Sequence, residues 1–131
     1  MRFFLSLSLL FILLSSCTKT DCKQEFVGGL TDISEIQDSI NIGSSIAVKM
    51  NATGRDGCSS LKGLEIIEND VNGKNEIWVS SIISSVGCEC TMLFPSFETQ
   101  LNYTAKTKGW NIIRFFNQSI ADSKIDSFFV K

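Results

Sequence analysis

Cys88-Glu89-Cys90-Thr91-Met92 sets three sulfur atoms at alternate positions. On a β-strand, alternate side chains share a face, so residues 88, 90 and 92 would point the same way. Two thiolates and a thioether on one face form a soft donor set suited to Cu(I). The competing chemistry is oxidation, because cysteines in an exported compartment pair with one another. C-x-C alone is a weak motif and no fourth ligand accompanies it. Disulfides are therefore the expectation and no cofactor or resident metal is assigned. Copper handling through Cys88, Cys90 and Met92 is the alternative.

A second stretch, Glu68-Asn69-Asp70-Val71-Asn72-Gly73, has the alternating oxygen donors and sixth-position glycine of an EF-hand loop. That loop requires a bidentate glutamate at its twelfth position, and here Val79 stands there. Asn-Gly between two apolar runs is the signature of a tight hairpin, and a hairpin is the expectation. The chain contains no histidine. That excludes Ser-His-Asp and Cys-His catalysis and every histidine-containing zinc motif, so a non-catalytic role is expected. A net charge of −2 supplies no basic field for nucleic acid. Asn51-Ala52-Thr53, Asn102-Tyr103-Thr104 and Asn117-Gln118-Ser119 fit the N-glycosylation pattern, a three-residue match to which no role is assigned.

The compartment is read from the front of the chain. Met1-Arg2 is a short basic head, and residues 3–14 (FFLSLSLLFILL) form an apolar run of twelve. A membrane-spanning helix needs about 20 apolar residues, so this run has the length of a secretory signal core instead. It ends in Leu14-Ser15-Ser16-Cys17, which resembles the lipobox of bacterial lipoproteins. The resemblance implies cleavage before Cys17, a diacylglycerol on its sulfur and a further acyl chain such as palmitate on its amine. Two or more chains attach a protein stably to a membrane. The expected organisation is a signal peptide at 1–16, a lipidated cysteine and short tether at 17–24, and one domain at 25–131. The expected location is the bacterial cell envelope, with the membrane as a partner through the anchor.

Within the domain, runs rich in Ile, Val, Phe and Thr at 23–28, 45–52, 62–68, 75–84, 88–94, 100–106, 110–117 and 124–130 read as strands. Turn-forming clusters separate them at the spacing of a sandwich or barrel. Residues 31–39 carry apolar side chains three apart, the weak pattern of a helical turn. The segment from Gly109 and Trp110 to Phe115, followed by residues 125–130, resembles the closing hairpin of an immunoglobulin-like domain. That resemblance implies an all-β, antiparallel sandwich of about seven or eight strands, and no activity. The last two strands are apolar on both faces. Trp110, Ile112, Arg114 and Phe116 share one parity, and Ile113 and Phe115 the other. The favoured expectation is that residues 31–39 cover the outer set, so truncating Trp110 would cost about 3–5 kcal/mol as for a core residue. The functional reading makes Trp110, Ile112 and Phe116 an exposed patch for an envelope protein or a glycan.

If lipid takes Cys17, then Cys22, Cys58, Cys88 and Cys90 remain, and four cysteines allow three pairings. Cys88 with Cys90 is disfavoured, since alternate side chains on a strand run parallel rather than converge. Cys58 then bonds one of the two and Cys22 the other. The pattern leans slightly to Cys58–Cys90, with Cys58–Cys88 open.

Overall fold

Ile46, Val48, Met50 and Ala52 are buried, and Ala47 and Lys49 between them are exposed. This is the two-residue period of a pleated strand with one face on a core. The computed structural model describes residues 22–131, apart from the side chains of 119–121. Among the described residues the chain forms eight strands and no helix: β1 (Lys23–Thr31), β2 (Ser39–Ile40), β3 (Ser45–Thr53), β4 (Ser59–Val71), β5 (Lys74–Val86), β6 (Ser96–Thr104), β7 (Gly109–Asn117) and β8 (Ser119–Val130). The domain is all-β, as its composition implies.

Two expected elements are absent. Residues 31–39 do not make a helical turn, because their backbone groups are committed to neighbouring strands. Ser34 N donates to Lys49 O at 2.9 Å, and Asp38 O accepts from Phe129 N at 2.8 Å. Nor are residues 88–94 a strand; they lie in the loop from β5 to β6.

The strands pair along the path β2-β8-β7-β5-β1-β3-β6, with β4 on β5. β4 and β5 form a long hairpin around Asn72-Gly73, both with positive φ (54° and 74°). That is the paired left-handed geometry a tight hairpin demands. Asp70 Oδ1 accepts from Gly73 N at 3.0 Å and steadies the turn. β4 occupies one edge of β5 throughout, so two strands divide the other edge: β7 pairs with 75–79 and β1 with 81–86. β1 then leaves β5, and its residues 29–31 pair with β3. This switch curls the sheet over its own core. Gly28 stands at the crossing, where a Cβ would meet the Thr53 carbonyl at 2.8 Å and the Ile83 side chain at 2.7 Å. Backbone cannot yield there, so the strand changes partners only through glycine.

The sheet is mixed rather than wholly antiparallel. β5 with β7 and β2 with β8 run parallel. The cause is connectivity: after β5 the chain crosses to the opposite wall, descends as β6 and returns as β7 in the direction of β5. Parallel neighbours need such a crossover. The two walls enclose Val48, Met50, Ile77, Val79, Ile83, Leu101, Ile113, Phe115 and Phe128.

Candidate functional site

Chemistry-bearing residues gather in two places, the C-terminal end of β5 and the outer face of the sheet around it. At its C-terminal end the four described cysteines form Cys22–Cys88 and Cys58–Cys90, with Cα separations of 5.1 and 5.5 Å. The segment at Cys22, just before β1, and the turn at Gly54–Cys58 are thus both bonded to the 87–95 loop. Backbone hydrogen bonds reinforce the bonds: Gly87 N to Cys22 O (2.9 Å), Gly57 N to Thr91 O (2.9 Å) and Gly54 N to Pro95 O (2.8 Å). Asp56 organises the turn, accepting from Ser85 Oγ at 2.8 Å, Ser59 Oγ at 3.0 Å and Cys58 N at 3.1 Å. These donors, Ser85 foremost, hold its carboxyl below the usual aspartate range. Arg55 bonds Gln24 Oε1 at 2.7 Å and lies 4.9 Å above the Phe26 ring.

The soft-metal arrangement does not form here. Cys88 and Cys90 belong to different disulfides, and Met92 projects from a loop rather than from a shared strand face. Asp56, Cys58 and Cys90 do approach within 4.8 Å of one another, but two of these three are one disulfide, which offers no thiolate. The calcium-like stretch is likewise structural. Glu68 Oε1 bonds Lys106 Nζ at 2.7 Å and Asp70 caps the hairpin.

The second place is the outer face of β4, β5, β7 and β8. Register sets Ile67, Trp78, Arg114 and Ile125 in one row across the four strands, and Trp110 beside Phe129 in another. Arg114 bonds Glu76 Oε1 at 3.2 Å and lies 5.5 Å from the Trp78 ring centre, and Trp78 Nε1 donates to Glu76 Oε2 at 3.3 Å. The Arg114 hydrogen bond is the main reason the Glu76 carboxyl ionises below its usual range. Trp110 and Phe129 meet edge to face at 5.5 Å and 72°.

Nothing among the described residues covers this face. Trp110 is 55% exposed, and Ile67, Ile125 and Phe129 are exposed as well. The expected cover, residues 31–39, packs elsewhere: Ile33 and Ile36 rest against the core, and Ile33 O accepts from Lys124 Nζ at 3.0 Å. Hence Trp110 is a surface residue, not a core one. The structure brings Trp110 and Ile112 together around a hollow shared with Lys74 and Ser127. Phe116 is half-buried near a register shift at the end of β7 and does not join them.

Sequence reading missed a buried polar relay at the N-terminal end of β5. Asn111, fully buried, donates to Thr107 O and Gly109 O at 3.1 Å each and accepts from Asn75 Nδ2 at 2.8 Å. Asn75 also donates to Tyr103 Oη at 3.2 Å, which reaches Glu68 Oε2 at 3.4 Å. Burial, more than any other cause, raises the Tyr103 phenol above its usual range. An asparagine inside an apolar strand was the available signal. Cys17 and residues 1–16 lie outside the described residues.

The fold and these two places define a disulfide-clamped all-β domain. Comparison with protein-family models, with curated proteins and with solved structures finds no match for this chain.

Proposed function

We propose that this chain is a lipid-anchored protein of the bacterial cell envelope, whose β-domain binds or braces a partner without catalysing a reaction. The anchor half rests on Leu14-Ser15-Ser16-Cys17 after a basic head and a short apolar run. Two disulfides support an oxidising, exported setting. One observation carries the binding half: the outer face leaves Trp110, Phe129, Ile125 and Ile67 open beside Arg114. Aromatic residues and arginine are enriched where proteins meet partners, and open apolar surface on a folded domain marks such places. An envelope protein or a glycan fits this mixture of rings and charge. In architecture, the passage of β1 from one wall to the other supports an immunoglobulin-like sandwich with mixed pairing.

Two measurements test this reading. Mass spectrometry of the mature protein should find acyl chains on Cys17, and Cys17→Ser should abolish them; an unmodified N-terminus elsewhere sinks the anchor. A photo-crosslinking residue at Ile125 should trap a discrete envelope adduct in cells. The same residue at Asn102, exposed on the opposite wall, should not. Equal trapping at both sites rejects the outer face as the binding surface.

A further inference from the structure

The 87–95 loop exposes three consecutive apolar side chains: Met92 is 92% exposed, and Leu93 and Phe94 are each 64% exposed. Val86, at the foot of the loop, is exposed too. Single exposed apolar residues are ordinary; three in succession on a loop tip are not, since connections face water and are usually polar. Nor is this tip loosely held. Cys88 and Cys90 bind it to Cys22 and Cys58, and Thr91 O and Pro95 O each accept a backbone hydrogen bond from the 54–57 turn. The loop is pinned with its apolar side chains outward.

The occupant follows from where the tether attaches. Cys22 is bonded to Cys88 and lies five residues after Cys17. Five residues span at most about 18 Å when fully extended. The same limit applies from Cys88 to Leu93. An anchor at Cys17 therefore holds this end of the domain, and not the opposite end, against the bilayer surface. We propose that Met92, Leu93 and Phe94 enter the lipid interface and serve as a second, non-covalent membrane contact that fixes the tilt of the domain. The inference rests on the lipid-anchor reading. A side chain such as Phe94 or Leu93 gains by sitting at the headgroup–acyl boundary, as interfacial anchors do. The consequence is orientation: the Trp110 face stands upright beside the membrane rather than swinging on a tether.

The test uses the full acylated chain in vesicles of phosphatidylethanolamine with a minority of phosphatidylglycerol. Lipid occupies the Cys17 thiol and the other four cysteines are bonded, so Leu93→Cys supplies a unique site for a spin label. Lys108→Cys, in the turn before β7, is the control at the far end. Peptide mapping verifies that Cys22–Cys88 and Cys58–Cys90 persist. At position 93 the ratio of collisions with oxygen to collisions with a polar nickel chelate should be several-fold higher than at 108. Phe94→Trp gives a cysteine-free check: brominated lipid should quench its fluorescence well beyond the quenching of the wild type. Equal accessibility at 93 and 108, or no added quenching, overturns the inference while acylated Cys17 leaves the anchor intact. An unmodified Cys17 overturns both. Dipolar broadening between labels at 93 would show a second copy of the chain on the loop, and would reject lipid as its occupant.

Discussion

The two ends of β5 are built on opposite principles. At the C-terminal end, exposed loops are held by two covalent bonds and apolar side chains face out. At the N-terminal end no disulfide stands among the described residues, and Asn111, Asn75 and Tyr103 join the walls through hydrogen bonds. Burial organises a strand, whereas the 87–95 loop has little to bury and is held by its cross-links instead. A buried amide needs its partners instead, because an unsatisfied polar group costs more than the bond itself returns. The clamped end is therefore free to present apolar residues without relying on them for stability. At the relay end the polar residues serve stability through the hydrogen bonds they make to one another and to the backbone.

Breaking each end separately tests that contrast. The largest effect should follow Cys58→Ser with Cys90→Ser, which removes a bond closing a 32-residue separation. In the chain-entropy view this costs about 3–4 kcal/mol. Chemical denaturation measures it, and a loss under about 1 kcal/mol would mean that the loop's hydrogen bonds suffice. Asn111→Ala should cost about 1–3 kcal/mol by stranding Thr107 O, Gly109 O and Asn75, even though it touches neither disulfide. If thermal unfolding were unchanged, the relay would be incidental. Gly28→Ala, between the two ends, should cost about 1–3 kcal/mol through overpacking against the Thr53 carbonyl.

Trp110→Ala should be much milder, about 1 kcal/mol or less, as expected of a half-exposed side chain away from the core. A core-sized loss at this position would falsify the open outer face. The smallest effect is acid sensitivity at the clamp. The folded-state pKa of Asp56 is lowered, chiefly by Ser85, so its contribution is complete above the unfolded value of about 3.9. It fades as pH falls through the folded value. Ser85→Ala should therefore lower the neutral-pH plateau slightly and flatten the acid limb of a stability–pH profile, with the least change below the folded value. An unaltered limb would assign acid unfolding to other carboxylates, such as Glu76 beside Arg114.

Some of this was legible in the residues. Period-two alternation announces strands such as β3 and β6, because inward and outward side chains simply take turns. Asn72-Gly73 announces its hairpin, because few other pairs adopt two positive φ angles cheaply. The elimination of Cys88–Cys90 narrowed the disulfides to two patterns, and the structure realises Cys22–Cys88 with Cys58–Cys90. What failed were judgements about contacts. Residues 88–94 have strand-like composition, but the disulfides and the 54–57 turn hold their backbone as a loop. Trp110 has a core residue's chemistry, yet the expected cover, residues 31–39, packs on the core through Ile33 and Ile36.

The sequence by itself therefore determined the all-β class, the tight hairpin and the absence of histidine chemistry. Each follows from local conformational preference or from composition, which need no knowledge of distant residues. Tertiary structure alone decided the parallel pairing of β5 with β7, the partner switch at Gly28, the choice between disulfide patterns and the openness of the Trp110 face. These depend on which strands the chain brings together across 30 or more residues, as from Asn75 to Asn111. An apolar side chain records its appetite for burial, and only the assembled walls determine whether there is anything to bury it.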